Sequence, residues 1–234
     1  MVNNGCMRWR GISSESQPQS HLPLAVQLRE IRENTERYAP PETIAIHERA
    51  IAELHSEAAA QRAVKPGDAA PPFTLNDHNG RLVRSSELLG SGPLVALFFQ
   101  GRWSPYCMTQ LEAMQFAYPE IKARGAALVA ISPQKLHHNL LAAEQHRLQF
   151  PLLSDPGNRV AATFGIRYRV PQEQLELYRR IVINLASLNY DAPDTLPLAS
   201  VFIIHPNGPG LIGWSRADED FRVRPEPADV LAAL

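Results

Sequence analysis

The hydrophobic rhythm of the chain changes twice, and the changes divide it into three parts. Residues 1–20 are polar, carry Gly, Ser and Pro, and show no periodicity, so a disordered tail is expected there. From Leu24, the run LAVQLREIRENTERY places Leu24, Leu28, Ile31 and Tyr38 near one helical stripe with charges elsewhere. Pro40-Pro41 interrupts it, and PETIAIHERAIAELHSEAAAQRA starts a second helix with proline in its first turn. Ile44, His47, Ile51, Leu54 and Ala58 recur there at three- and four-residue steps. The pattern predicts a helical arm over 21–64, packed on the main domain or on another subunit.

KPGDAAPPF punctuates the chain, and from residue 65 to 234 strand-like and helix-like runs alternate. LVALFF (94–99), ALVAI (127–131), FPLLS (150–154), VFII (201–204) and GLIGW (210–214) read as strands. Between them lie helices at about 106–124 and 134–148, and a short one at NRVAATFG. PADVLAAL closes the chain as another helix. Such alternation implies an α/β domain with parallel crossovers, ending in a hairpin. Residues 167–195 read as an inserted helical or irregular excursion.

Length and composition narrow the function classes. The 234 residues suffice for one well-buried core plus an appendage. A formal charge of -1 gives no electrostatic reason to expect nucleic acid or an anionic membrane as partner. The apolar runs are too short to span a bilayer, and the N-terminus lacks the apolar segment of a secretory signal. Two cysteines do not make a disulfide framework, so a reducing, cytoplasmic setting is expected. Neither GSG at 90–92 nor GPG at 208–210 has phosphate-loop spacing, and adjacent His137 and His138 point apart on a helix. No cofactor and no metal are therefore expected.

The candidate chemistry lies in RWSPYCMTQL, from residue 102. Cys107 follows a strand and opens a helix, where unpaired N–H groups and the helix dipole favour a thiolate. Ser104 is placed to cap the first turn or to donate to the sulfur, and Arg102 to supply positive charge. Trp103 and Tyr106 flank the motif, as pocket walls or as packing against the sheet. The competing reading is a buried cysteine serving as a small apolar residue.

The stretches KPGDAAPPFTLNDHNGRLVRSSELLGSGPLVALFFQGRWSPYC, MTQLEAMQ, YPEIKARGAALVAISPQ, LLSDPGNRVAATFGI and VFIIHPNG resemble the peroxiredoxin superfamily. They look most like the peroxiredoxin-like branch of the alkyl hydroperoxide reductase/thiol-specific antioxidant (AhpC/TSA) family. The resemblance implies a thioredoxin-like fold, a central mixed sheet flanked by helices, with an N-terminal helical extension. The family pattern P-x-x-x-T/S-x-x-C puts Gln100 at the proline, Ser104 at the hydroxyl and Cys107 at the peroxidatic cysteine. It implies a thiol-dependent peroxidase that reduces hydrogen peroxide or organic hydroperoxides through a sulfenic acid at Cys107. An external thiol, or a thioredoxin- or glutaredoxin-like reductant, would restore the thiol, with Cys6 the alternative resolving thiol. A homodimer fits the superfamily. Two other readings are a thiol-disulfide oxidoreductase and a non-catalytic redox sensor or binding protein on the same fold. The arginine that typical peroxiredoxins place before the strand aligned with VFIIHP falls here at Ala199. Arg102, Arg167 and Arg169 are the candidates to replace it.

Overall fold

The structure, a computed structural model, describes residues 22–234. The expected tail and Cys6 lie outside the described residues. The arm is two helices, α1 (Leu24–Tyr38) and α2 (Pro41–Ser56). The hairpin β1 (Thr74–Asp77) and β2 (Leu82–Arg84) and the short α3 (Ser85–Leu89) follow. Then come β3 (Leu94–Phe98), α4 (Pro105–Ala123), β4 (Ala127–Ser132), α5 (Leu136–Gln145), β5 (Leu152–Ser154) and α6 (Arg159–Thr163). The excursion contains β6 (Arg167–Arg169), α7 (Gln172–Arg180), α8 (Leu185–Leu188) and β7 (Thr195–Pro197). The chain closes with β8 (Ser200–His205), β9 (Leu211–Ala217) and α9 (Pro227–Ala232).

Seven strands form one mixed sheet in the order β2-β1-β5-β4-β3-β8-β9, with β3, β4 and β5 mutually parallel and the other pairs antiparallel. All five residues of β3 are buried, as a central strand covered on both faces requires. Its two-residue period divides the core. Leu94, Ala96 and Phe98 join Phe164 and Phe202 on one face, whereas Val95, Leu97 and Phe99 join Leu111, Met114 and Cys107 of α4 on the other. Burying each large side chain contributes roughly 1.5–3 kcal/mol. Cys107 thus belongs to the apolar cluster on this face of the sheet.

The arm packs on its own domain, α1 against α4 and α2 against α7. In α1 the expected stripe holds for Leu24, Leu28 and Ile31, but Tyr38 is 65% exposed. In α2 Ile51 and Leu54 of the expected stripe are buried, together with Ile46 and Ala50, whereas Ile44 is half-buried and Ala58 lies beyond the helix end. The arm leaves against Gly165, where an added Cβ would collide with the Arg62 carbonyl oxygen. Only glycine permits that approach.

Two elements escape the sequence pattern. β1 and β2 are four and three residues long, too short for alternation to register. Their turn is set instead by Asp77, whose Oδ1 accepts from Asn79 N and Arg81 N, both at 2.8 Å. The excursion is organised by β6 and β7, which pair antiparallel as a separate two-stranded sheet.

Candidate active site

β3 ends beneath the loop 99–104, and α4 begins at Pro105, so Cys107 is the third residue of the helix. Proline suits the first position because its missing N–H would have no helical partner. Ser104 is the N-cap: its Oγ accepts from Cys107 N at 3.4 Å, and its carbonyl accepts from the same N–H at 3.1 Å. Cys107 itself is fully buried. The sulfur therefore sits in the first turn of a nineteen-residue helix, on its N–H-rich end.

The guanidinium at this sulfur belongs to Arg224. Its Nη2 lies 3.8 Å from Cys107 Sγ, its Nη1 donates to Val223 O at 2.9 Å, and the residue is 8% exposed. None of the three arginines named as substitutes for the one absent at Ala199 fills this place. Arg167 and Arg169 are exposed, Arg169 being paired with Asp194 at 3.2 Å. Arg102 turns toward α5: its backbone N donates to Gln134 Oε1 at 2.9 Å, and its charge acts on His138. Burial, His137 and Arg102 together hold the His138 imidazole below the ordinary histidine range. Ala199 is buried in the link between β7 and β8.

Two tyrosines from the excursion complete the surroundings. Gln100, at the position of the motif proline, donates from Nε2 to Tyr168 Oη at 3.1 Å, both residues being buried. Burial pushes both the Tyr168 and Tyr178 phenols far above the tyrosine range, and the nearby Cys107 adds to both shifts. Arg224 opposes the shift at Tyr168. Both phenols stay protonated, as neutral hydroxyls near the sulfur. Trp103 packs on Tyr178 with ring centroids 5.0 Å apart, so it walls this side. Tyr106 faces the other way, packing with Leu24, Leu28 and the Phe221 ring, and its phenol engages Thr35 of α1. Trp103 thus lies against Tyr178, whereas Tyr106 packs on α1 and Phe221 rather than against the sheet.

The structure brings Cys107, Ser104 and Trp103 together and adds Arg224, Tyr168 and Tyr178, which the sequence reading did not name. The missed residues reach the site only through tertiary contacts. The one local hint is an arginine in RVRPEP, between the last strand and the closing helix.

The profile of the AhpC/TSA family matches residues 66–209. The chain belongs to the AhpC/TSA family. Within it, a chloroplastic peroxiredoxin Q of Sedum lineare is 37% identical over 103 residues, covering 44% of this chain and 55% of that protein. The chloroplastic peroxiredoxin Q of Arabidopsis thaliana is 35% identical over the same length, covering 44% and 47%. The chain spans about half the length of the curated relatives it matches. Among solved structures, peroxidoxin BcpB of Mycobacterium tuberculosis superposes with a TM-score of 0.56 at 24% identity, over 73% of this chain and 96% of that one. Xanthomonas campestris peroxiredoxin Q gives 0.54 at 19% identity, over 74% and 96%. These likenesses establish the thioredoxin-like fold expected from the sequence. The expected cytoplasmic setting is overturned, since the peroxiredoxin Q relatives of Sedum lineare and Arabidopsis thaliana are chloroplastic. Cysteine scarcity does not distinguish one compartment from another.

Proposed function

We propose that this protein is a thiol-dependent peroxidase acting through Cys107. The observation that carries the reading is the Cys107 sulfur at the first turn of α4, with the Arg224 guanidinium 3.8 Å away and Ser104 at the cap. The thiolate attacks the terminal oxygen of a hydroperoxide. An S–O bond forms as the O–O bond breaks, and the departing oxygen takes a proton to leave as water or alcohol. Charge that develops on the peroxide oxygens meets the guanidinium and the helix N–H groups. Sulfur ends as a sulfenic acid. An external thiol then attacks that sulfur and expels water, and a second thiol releases the resulting mixed disulfide. Cys107 is the sole cysteine among the described residues, which supports an external reductant of low-molecular-weight thiol or thioredoxin type. Its full burial favours a small peroxide as the oxidising substrate.

The test is rapid mixing of reduced protein with hydrogen peroxide, followed by intact mass at successive times. Sulfenic acid at Cys107 is expected to form far faster than on free cysteine, and Cys107→Ser is expected to abolish peroxide consumption. Oxidation no faster than free cysteine across several hydroperoxides, or unchanged turnover in Cys107→Ser, overturns the reading.

A further inference from the structure

The segment between β9 and α9 is tied to the arm at residue after residue. Glu219 Oε1 accepts from Ala60 N at 2.8 Å, and its second oxygen lies 3.5 Å from His55 Nδ1. The Phe221 ring meets His47 of α2 at 5.4 Å. Arg222 divides its donors between Asp220, at 2.8 Å, and Glu48 of α2, at 2.5 Å. Glu226 accepts from Leu24 N at 2.9 Å and from Ala25 N at 2.7 Å, the opening N–H groups of α1. The same Glu226 forms a reciprocal capping box with Asp229 at the start of α9.

Arg224 lies between these ties and alone turns inward to the sulfur. A buried guanidinium carries a desolvation cost and gives up rotamer freedom, so a free segment would release it to water. Its Nε is buried with no hydrogen-bond partner, which removes a further reason to stay. The neighbouring carboxylates do not compete for it. Asp220 and Glu48 are taken by Arg222, and Glu226 by the α1 N–H groups. Among the described residues, Arg224 forms no ion pair.

We propose that the N-terminal arm is a working part of the reactive centre: it grips segment 219–226 on both sides of Arg224 and so holds the guanidinium at Cys107, with Glu226 as the positioning residue. The inference rests on Cys107 being the reacting thiol. It makes reactivity depend on the docking of α1 to Glu226, close along the chain to the cation it places.

The test compares Glu226→Ala, Glu226→Gln, Arg224→Met and Glu226→Ala/Arg224→Met in the full chain, each with Cys6→Ser so that one thiol reports. Two readouts are taken: the pH profile of iodoacetamide alkylation and the rate of peroxide consumption. Glu226→Ala is expected to move the alkylation profile toward higher pH, with alkylation about tenfold slower on its acid side. Arg224→Met is expected to move it at least as far, and the double variant no further than Arg224→Met, because both changes remove one interaction. Glu226→Gln keeps one acceptor and gives a smaller shift in the same direction, which also serves if the alanine variant does not fold. A Glu226→Ala or Glu226→Gln profile that matches the parent while Arg224→Met shifts overturns the role of the arm. Additive shifts in the double variant overturn it as well. Shifted profiles in a protein that consumes no peroxide would support the clamp and sink the peroxidase reading, so the two failures are distinguishable.

Discussion

Arg224 Nη2 and Cys107 Sγ meet at 3.8 Å across 117 residues of chain. The cation reaches the sulfur from the segment after β9, whereas the tyrosines come from the excursion before β8. Arg224→Met is expected to slow sulfenic acid formation roughly 100-fold, the scale on which a charge-stabilising donor acts at a reacting centre. Arg224→Lys keeps the charge and loses the planar fork, so it should fall between the two. Stopped-flow peroxide consumption at saturating reductant checks both, and an unimpaired Arg224→Met removes the guanidinium from the mechanism.

Ser104→Ala removes the side-chain cap of α4 while leaving the backbone bond from Cys107 N to the Ser104 carbonyl. The capping bond is long, at 3.4 Å, so the stability loss should be about 0.5–1 kcal/mol, the low end for an N-cap. Peroxide turnover should slow without disappearing. Denaturant melts and initial rates read the two effects separately.

Tyr168→Phe takes away the acceptor of the buried Gln100 amide. Leaving that donor unpaired is expected to cost about 1–3 kcal/mol. The double change Gln100→Leu with Tyr168→Phe removes both partners and should recover part of the loss. A single variant as stable as the parent would show that the pair contributes nothing.

His47 joins the arm to the rest of the molecule: its Nδ1 lies 3.2 Å from Gln174 Nε2, and its ring contacts Tyr178 and Phe221. Burial first, then Arg222, holds its imidazole below the ordinary value of 6.5, with Glu48 opposing. Between the lowered folded value and 6.5, the unfolded chain binds a proton that the folded chain does not. Stability therefore rises with pH through this window and is lost as pH falls below about 6.5. Urea melts at about pH 7.5 and about pH 5.5 should show a larger loss in the parent than in His47→Gln. Equal losses would place the acid sensitivity elsewhere.

The legible part of this protein is what local chemistry dictates. LVALFF is uniformly apolar because both faces of β3 are covered, and Ser-Pro before Cys107 spells a helix start. What could not be read depends on distance in space. Nothing within RVRPEP distinguishes Arg224, which reaches the sulfur, from Arg222, which closes on Glu48. Tyr168 likewise sits in a three-residue strand whose pairing with β7 decides its burial.

The stretch shared with the AhpC/TSA family ends at residue 209, before the segment that carries Arg224, and begins at 66, after the arm that grips it. A fragment cut to the shared borders would keep the sulfur, its cap and both tyrosines, and would lack the cation. The boundaries drawn by ancestry and by chemistry do not coincide here. Relatives identical throughout the common stretch would then differ in reactivity through their two ends alone.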